Sequence, residues 1–173
     1  MPLACLRSIF FPALLASFLV LAGSFYLEYG LGLLACPLCQ GQRLVLGAFS
    51  LTCLAAMVQL ALRGSVRFHR WLCLALASFG ALLAARHVWL QGLSLSPEVP
   101  DLHSMAHLLQ QGTPAQWLES MLLGSADCVP ITWSFLSLSV PEWSLLAFLG
   151  LALMMLFRLM PRRQLNLGDL PGS

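Results

Sequence analysis

Charged side chains are the scarcest component of this sequence. It contains no lysine, and acidic and basic residues together make up 9% of its 173 residues, whereas 59% are hydrophobic. An ordinary soluble domain has roughly a quarter of its residues charged. The shortage of charge excludes a water-soluble domain of the usual kind, so we expect a membrane protein.

Long segments with little or no charge take the place of alternating polar and apolar faces. Four of them are of spanning length: residues 9–27, 43–62, 71–90 and 143–160. Each has close to the ~20 residues that an α-helix needs to cross about 30 Å of hydrocarbon. The third reaches this length only by including Arg86 and His87, and Pro161 ends the fourth. The sequence predicts an all-α membrane protein, a single four-transmembrane-helix bundle over residues 1–173.

The arginines predict the orientation of these helices. Seven of the nine basic residues fall in three places: Arg7; Arg63, Arg67 and Arg70; and Arg158, Arg162 and Arg163. Because positive residues are enriched on the cytoplasmic side, both termini are predicted inside, with outer loops at residues 28–42 and 91–142. A secretory signal peptide at residues 1–23 is the alternative, but its apolar run is long for a signal core and three further spans follow.

The longer outer loop is too polar to span a membrane and too apolar for a plain linker. SPEVP at residues 96–100 predicts an extended or turn stretch. SMAHLLQQ at 104–111 and PAQWLESMLL at 114–123 predict two short amphipathic helices. Residues 129–143 have apolar spacing that fits a strand or a helix, and their aromatic residues favour a helix along the membrane surface.

The six cysteines divide according to this topology. Cys5, Cys53 and Cys73 fall near the cytoplasmic boundary or within the membrane, where we expect small packing residues without a partner. Cys36, Cys39 and Cys128 fall outside. Only these three face an oxidising compartment, in which disulfides persist.

Cys36 and Cys39 lie where the second membrane helix is predicted to begin. Cys36 would cap it, and Pro37 would occupy the first helical position, where a missing N–H costs nothing. The positive end of the helix dipole favours the thiolate, which is the form that reacts in disulfide exchange. Arg43 follows Cys39 by about one turn, so that both side chains share one helical face with Cys36.

The CxxC spacing by itself is compatible with a redox pair, half of a metal site or a structural disulfide. Arg43 at membrane depth either snorkels to headgroups or donates a hydrogen bond to a lipid-soluble, carbonyl-bearing acceptor beside the sulfurs. His87 is predicted at similar depth, where it joins the same pocket or is simply packed. A zinc site would need two more ligands, and the outer face offers only Cys128 and two histidines at loose spacing.

Four short stretches of the chain form a specific combination. They are CPLCQGQR at residues 36–43, RHVWLQ at 86–91, ADC at 126–128 and WSFLSLSVPEW at 133–143. In this order, and with four predicted spans, they closely resemble the DsbB family of bacterial inner-membrane thiol oxidoreductases. The resemblance covers nearly the whole chain.

The resemblance implies a bundle in the bacterial inner membrane with a long periplasmic loop. It implies a quinone, ubiquinone or menaquinone, held near the periplasmic surface, with Cys36 and Cys39 as the disulfide that the quinone regenerates. Arg43 and His87 are implied to contact the quinone. The implied partner is a periplasmic DsbA-like thiol oxidase, and we expect neither nucleic acid nor a metal ion as a partner.

One cysteine of the family pattern is missing. The family has a second cysteine pair on the long loop, which receives electrons from the DsbA-like partner, and Cys128 matches its later member. The place of the earlier member falls near Leu102, and no cysteine lies between Cys39 and Cys128. This puts oxidation of the partner in doubt. Cys128 either exchanges directly with the CPLC pair by bonding to Cys36, or forms a mixed disulfide with the partner that resolves slowly.

The expected function is a quinone-dependent disulfide oxidoreductase in which Cys36 and Cys39 relay electrons from outer thiols to quinone. Two other classes remain open. A non-catalytic or diverged relative would capture a periplasmic thiol protein through Cys128. A metal-handling membrane protein would use Cys36, Cys39 and a histidine.

Overall fold

The computed structural model describes residues 9–33, 35–62, 64–93, 113–124, 128 and 134–159. The elements in chain order are α1 (Phe10–Tyr29), α2 (Pro37–Ala61), α3 (Arg67–Leu93), α4 (Pro114–Leu123), β1 (Ser134–Phe135), β2 (Leu138–Ser139) and α5 (Val140–Leu159).

The predicted bundle of four membrane-spanning helices is confirmed. Helices α1, α2, α3 and α5 are each long and apolar enough to cross a membrane. Helix α2 starts at Pro37, as the Cys36–Pro37 pair predicts, and so begins before the apolar span predicted from residue 43. Helix α3 extends past both ends of the apolar run predicted at residues 71–90.

The bundle core lies where the helices approach one another most closely. Helix α3 packs against α5 and α2, and α2 packs against α1. Phe49 and Phe148 are buried in this core. Gly80 on α3 permits the approach of α5, since a Cβ there would lie 2.2 Å from Cε1 of Phe148. Small residues at such crossings are what close packing of membrane helices requires.

The short helix α4 lies at residues 114–123, where the sequence predicts an amphipathic helix. Thr113 and Gln116 form a reciprocal capping box at its start, and Pro114 is its first residue. The helix lies against the beginning of α2 at Gly41, where a Cβ would be 2.9 Å from the carbonyl oxygen of Met121. Glycine at position 41 therefore allows α4 to rest on the CPLC segment.

The chain after α4 turns toward the same segment. Gly124 has φ of 96°, and a Cβ there would lie 2.4 Å from Cδ1 of Leu90. Both the conformation and the contact favour glycine. Cys128 follows and is buried in a small cluster with Cys36, Leu38 and Leu90. This cluster lies apart from the main bundle core.

The prediction of a surface helix over residues 129–143 is wrong at residues 134–139, and residues 140–143 belong to the start of α5. Ser134 pairs with Ser139 and Phe135 pairs with Leu138 in an antiparallel hairpin. Leu136 and Ser137 both have positive φ, 53° and 64°, as a tight turn of the primed type requires. The alternating apolar spacing here is that of a strand. The predicted segments at 96–100 and 104–111 lie outside the described residues.

Side chains of the hairpin end also start α5. Glu142 accepts hydrogen bonds from Ser139, through the backbone N–H at 2.6 Å and the hydroxyl at 2.9 Å. Trp143 donates its indole N–H to the carbonyl of Phe135 at 3.1 Å. An acidic side chain in the first turn also suits the positive end of the helix.

Candidate functional site

The start of α2 holds the two cysteines as the sequence predicts. Cys36 is the N-cap in an extended conformation, and Pro37 occupies the first helical position. The Cys36 side chain makes no capping hydrogen bond, so its sulfur is available for other contacts. Cys36 is buried and Cys39 is half-buried, and both are free thiols in the structure.

His87 of α3 lies between the two sulfurs. Its Nε2 is 3.8 Å from Sγ of Cys36, and its Nδ1 is 3.8 Å from Sγ of Cys39. The ring is 3% exposed, so these contacts form away from water. The sequence predicts His87 at the depth of the cysteines, and the structure adds that one imidazole reaches both of them.

A hydrogen-bonded chain connects this imidazole to α5. Ser144 donates to Oε1 of Gln42 at 2.6 Å, and Nε2 of Gln42 lies 3.5 Å from Nδ1 of His87. Gln42 is buried, as a polar group with partners on both sides can be. Sequence reasoning missed both residues. Gln42 could have been found from the sequence, since it is polar and follows Cys39 by three residues. Nothing in the sequence points to Ser144.

Cys128 is placed next to Cys36. The Sγ atoms of Cys36 and Cys128 and a ring nitrogen of His87 all lie within 4.8 Å of one another. Cys128 is 1% exposed. Of the two arrangements that the sequence left open for Cys128, this placement favours direct exchange with Cys36.

Arg43 is fixed to α1 by three hydrogen bonds. Its Nε donates to Oγ of Ser24 at 2.5 Å, its Nη2 donates to the Ser24 carbonyl at 2.7 Å, and its Nη1 forms a salt bridge with Glu28. The guanidinium also lies 4.9 Å above the ring of Phe25. The Arg43 and Glu28 side chains are only 15% and 22% exposed. Because Ser24 and Glu28 bind the guanidinium, Arg43 does not depend on lipid headgroups for its partners.

A cavity of about 420 Å³ lies between α1, α2 and α5. Its polar wall consists of Cys39, Gln42, Arg43, Ser24 and Ser144. The rest of the wall is apolar or glycine: Val20, Gly23, Leu27, Leu46, Val140, Trp143, Leu146, Ala147 and Phe148. Cys39 and Arg43 are thus brought together as predicted, while His87 stays behind the sulfurs and does not line the cavity.

Cys53 and Cys73 are in contact, against the prediction that they have no partner. Their sulfurs are 3.7 Å apart, between α2 and α3, and both are free thiols buried in the bundle core. Their predicted burial is confirmed. The contact depends on how two helices are rotated against each other, which spacing along the chain does not reveal. Cys5 lies outside the described residues.

Comparison with known proteins places this geometry in a family. The chain matches the family described as "Disulfide bond formation protein DsbB" over residues 6–158. It is 54% identical to "Disulfide bond formation protein B 2" of Pseudomonas entomophila, over 89% of this chain and 90% of the relative. It is 47% identical to the protein of that name from Pseudomonas putida, over 92% and 94%. It is 37% identical to "Disulfide bond formation protein B" of Methylococcus capsulatus, over 87% and 92%. No solved structure matches the chain.

These relatives confirm the family that the four motifs predict. They are named for disulfide bond formation and give no support to a non-catalytic relative that only captures a thiol protein. The doubt that the absent cysteine near Leu102 raised is not borne out. Leu102 itself lies outside the described residues.

Proposed function

Because the chain belongs to the DsbB family of disulfide bond formation proteins, we propose that it is a quinone-dependent membrane disulfide oxidoreductase. It regenerates the disulfide of a periplasmic DsbA-like oxidant and passes two electrons through Cys36 and Cys39 to ubiquinone or menaquinone. The observation that carries this proposal is the placement of the two sulfurs. Cys39 lines an apolar cavity, and Cys36 lies beside Cys128.

The cavity suits a quinone in size and in lining. Small-molecule sites typically enclose roughly 300–1,000 Å³, with apolar walls and a few placed polar groups; this one encloses about 420 Å³. The apolar wall would accept the ring and tail, and Arg43 and Gln42 offer N–H donors to carbonyl oxygens. When bound, the quinone would supply an acceptor for two electrons and two protons beside the Cys39 sulfur.

The three cysteines lie on two sides of the His87 ring. Cys36, with Cys128 beside it, is on the Nε2 side, and Cys39 is on the Nδ1 side. The Cys128 thiolate attacks Cys36 of the Cys36–Cys39 disulfide, forming a Cys36–Cys128 disulfide and releasing Cys39 at the cavity wall. Two thiols of the partner reduce the Cys36–Cys128 disulfide and leave as the partner's own disulfide. Cys36 and Cys39 then lose two electrons and two protons as their disulfide forms again.

Gln42 sets which nitrogen of His87 carries the proton. Its carbonyl oxygen accepts from Ser144, so its amide N–H faces Nδ1 of His87. A donor there makes Nδ1 the acceptor and leaves the ring proton on Nε2, which faces the Cys36 sulfur. The Nε2–H stabilises a Cys36 thiolate. Nδ1 takes the proton of the Cys39 thiol, at 3.8 Å, once the long 3.5 Å contact with the Gln42 amide is given up.

Arg43 is the residue that meets the quinone carbonyl in this proposal. Its bonds to Ser24 and Glu28 hold the guanidinium in one place on the cavity wall. A donor held in place before its ligand arrives loses little side-chain entropy when the ligand binds.

The proposed location is the bacterial inner membrane, with both termini in the cytoplasm and Cys36, Cys39 and Cys128 at the periplasmic face. The four apolar helices support a multi-pass membrane protein. The clustering of arginine at the ends opposite the CPLC segment supports the orientation.

A single-turnover measurement tests the quinone step. The purified full chain is reduced, freed of reductant under argon and mixed with a soluble ubiquinone analogue. We expect one equivalent of quinone to be reduced while Cys36 and Cys39 become resistant to alkylation in denaturant. Cys39→Ser abolishes both changes, and Cys53→Ser, at a thiol outside the cavity wall, leaves them intact. Failure of the reduced chain to reduce the quinone, or full activity in Cys39→Ser, would show that the proposal is wrong.

The partner step has its own test. Cys128→Ser should slow the oxidation of a DsbA-like protein and retain the quinone step, because the CPLC pair is unchanged. If Cys128→Ser oxidises the partner at the rate of the unmodified chain, Cys128 is outside the relay and the partner reacts with Cys36 directly.

A further inference from the structure

Cys36, His87 and Cys128 bring together three side chains of the kinds that ligate metal ions. Their three ligand atoms lie within 4.8 Å of one another, and all three residues are buried. Cys36 comes from the start of α2, His87 from α3, and Cys128 from the segment after α4. Three separate parts of the chain thus place two sulfurs and an imidazole nitrogen around one point.

The spacing is close to that of a tetrahedral zinc site. Zinc lies about 2.3 Å from cysteine sulfur and about 2.0 Å from histidine nitrogen. Tetrahedral ligands at these distances are roughly 3.5–3.8 Å apart. Sγ of Cys36 and Nε2 of His87 are already 3.8 Å apart. The remaining ligand distances are at most 4.8 Å and shorten by up to about 1.3 Å on binding.

Charge favours a divalent ion bound by these three residues. Two thiolates neutralise it, so that the site carries no net charge among the apolar neighbours Leu38 and Leu90. An ion at Nε2 lies on the opposite side of the ring from Cys39, whose sulfur is 3.8 Å from Nδ1. With Nε2 on the metal, the ring proton moves to Nδ1 and faces Cys39, so the Gln42 amide must turn its oxygen toward the ring and its N–H toward the Ser144 hydroxyl.

We propose that the reduced protein binds one thiophilic divalent ion, Zn²⁺ or Cd²⁺, through Sγ of Cys36, Nε2 of His87 and Sγ of Cys128, and that the bound ion stops the relay. Binding releases two thiol protons. The oxidised pair cannot bind in this way because Cys36 is then in a disulfide. Only the second half, arrest of the relay, rests on the proposed function. The ligand set also differs from the Cys36, Cys39 and histidine set of the sequence alternative.

A Cd²⁺ titration of the reduced full chain in detergent, under argon, tests the binding half. We expect a thiolate-to-metal absorbance that saturates at one Cd²⁺ per chain. Cys128→Ser and His87→Asn should each weaken binding by at least ~100-fold, since they remove a ligand. Cys39→Ser should retain it, as should the matched control Cys53→Ser, which removes a buried thiol of the other contacting pair.

X-ray absorption of the Zn²⁺-loaded unmodified chain gives a result that does not depend on variants folding. We expect two sulfur ligands at about 2.3 Å and a nitrogen ligand at about 2.0 Å. Three or more sulfurs without nitrogen, or binding that survives Cys128→Ser, would overturn the site. Arrest is measured as loss of quinone reduction at one equivalent of Zn²⁺, and full activity of the Zn²⁺-loaded protein overturns it. Metal binding without any quinone activity in the metal-free protein would instead refute the proposed function.

Discussion

Replacing Arg43 by alanine separates two roles that the structure gives to one guanidinium. It lies on the cavity wall, and it joins α2 to Ser24 and Glu28 of α1. If it donates to a quinone carbonyl, its loss removes a hydrogen bond to a charged group, which is worth about 1.5–3 kcal/mol. We expect kcat/KM for the quinone to fall roughly 10- to 150-fold.

The same substitution also affects stability. Exposed ion pairs contribute about 0–1 kcal/mol, and breaking a fully buried pair costs about 3–5 kcal/mol. The Arg43 and Glu28 side chains are 15% and 22% exposed. We therefore expect a loss of about 1–2 kcal/mol, between these limits.

Glu28→Gln is the matched control, because it breaks the same ion pair and leaves the guanidinium bonded to Ser24. It should cost similar stability and change kcat/KM little. Initial rates with a varied quinone analogue and a saturating thiol donor measure the first quantity, and thermal unfolding in detergent measures the second. If Arg43→Ala leaves kcat/KM unchanged, or if Glu28→Gln lowers it equally, Arg43 is a structural anchor and the reasoning fails.

Three further results are expected. In protein taken from an oxidising periplasm, Cys36 and Cys39 should resist alkylation in denaturant until reductant is added; complete labelling without reductant would exclude a resting disulfide. Gly80→Ala should destabilise the chain by about 1–3 kcal/mol, because the new Cβ meets the ring of Phe148. Gly47→Ala should not, because a Cβ there has nothing within 4 Å. Equal melting temperatures would contradict the close crossing of α3 and α5. Gln42→Leu should lower stability by about 1–3 kcal/mol, since it leaves the Ser144 hydroxyl and the buried His87 Nδ1 without this hydrogen-bond partner. It should also slow reoxidation of the Cys36–Cys39 pair. Single-turnover rates equal to those of the unmodified chain would show that Gln42 has no part in proton transfer.

The membrane helices could be predicted because the thickness of the bilayer sets how many consecutive apolar residues a spanning helix needs. The start of α2 could be predicted for a local reason, since proline after Cys36 fits only the first turn. The hairpin at Ser134–Ser139 was missed because apolar spacing fits two structures over so short a segment. The turn requires positive φ at Leu136 and Ser137, and neither position has the glycine or asparagine by which such a turn is usually recognised in a sequence.

The site was predicted in part, for the same kind of reason. Cys39 and Arg43 share a face of one helix, so their common cavity wall follows from spacing along the chain. The contacts of His87 with both sulfurs, and of Ser144 with Gln42, depend on the relative rotation and height of separate helices. No periodicity within one segment contains that information.

The close approach of α4 to the CPLC segment also bears on which thiols the protein can oxidise. Gly41 lies beneath α4 and Gly124 against Leu90, next to the cluster in which Cys36 is 9% and Cys128 1% exposed. Dissolved peroxide then has little access to a thiolate that it would otherwise carry irreversibly to sulfinic acid. In the proposed function, a protein thiol must likewise reach these buried sulfurs before exchange begins. On that proposal, access to the two sulfurs comes before any difference in the chemical reactivity of the thiols.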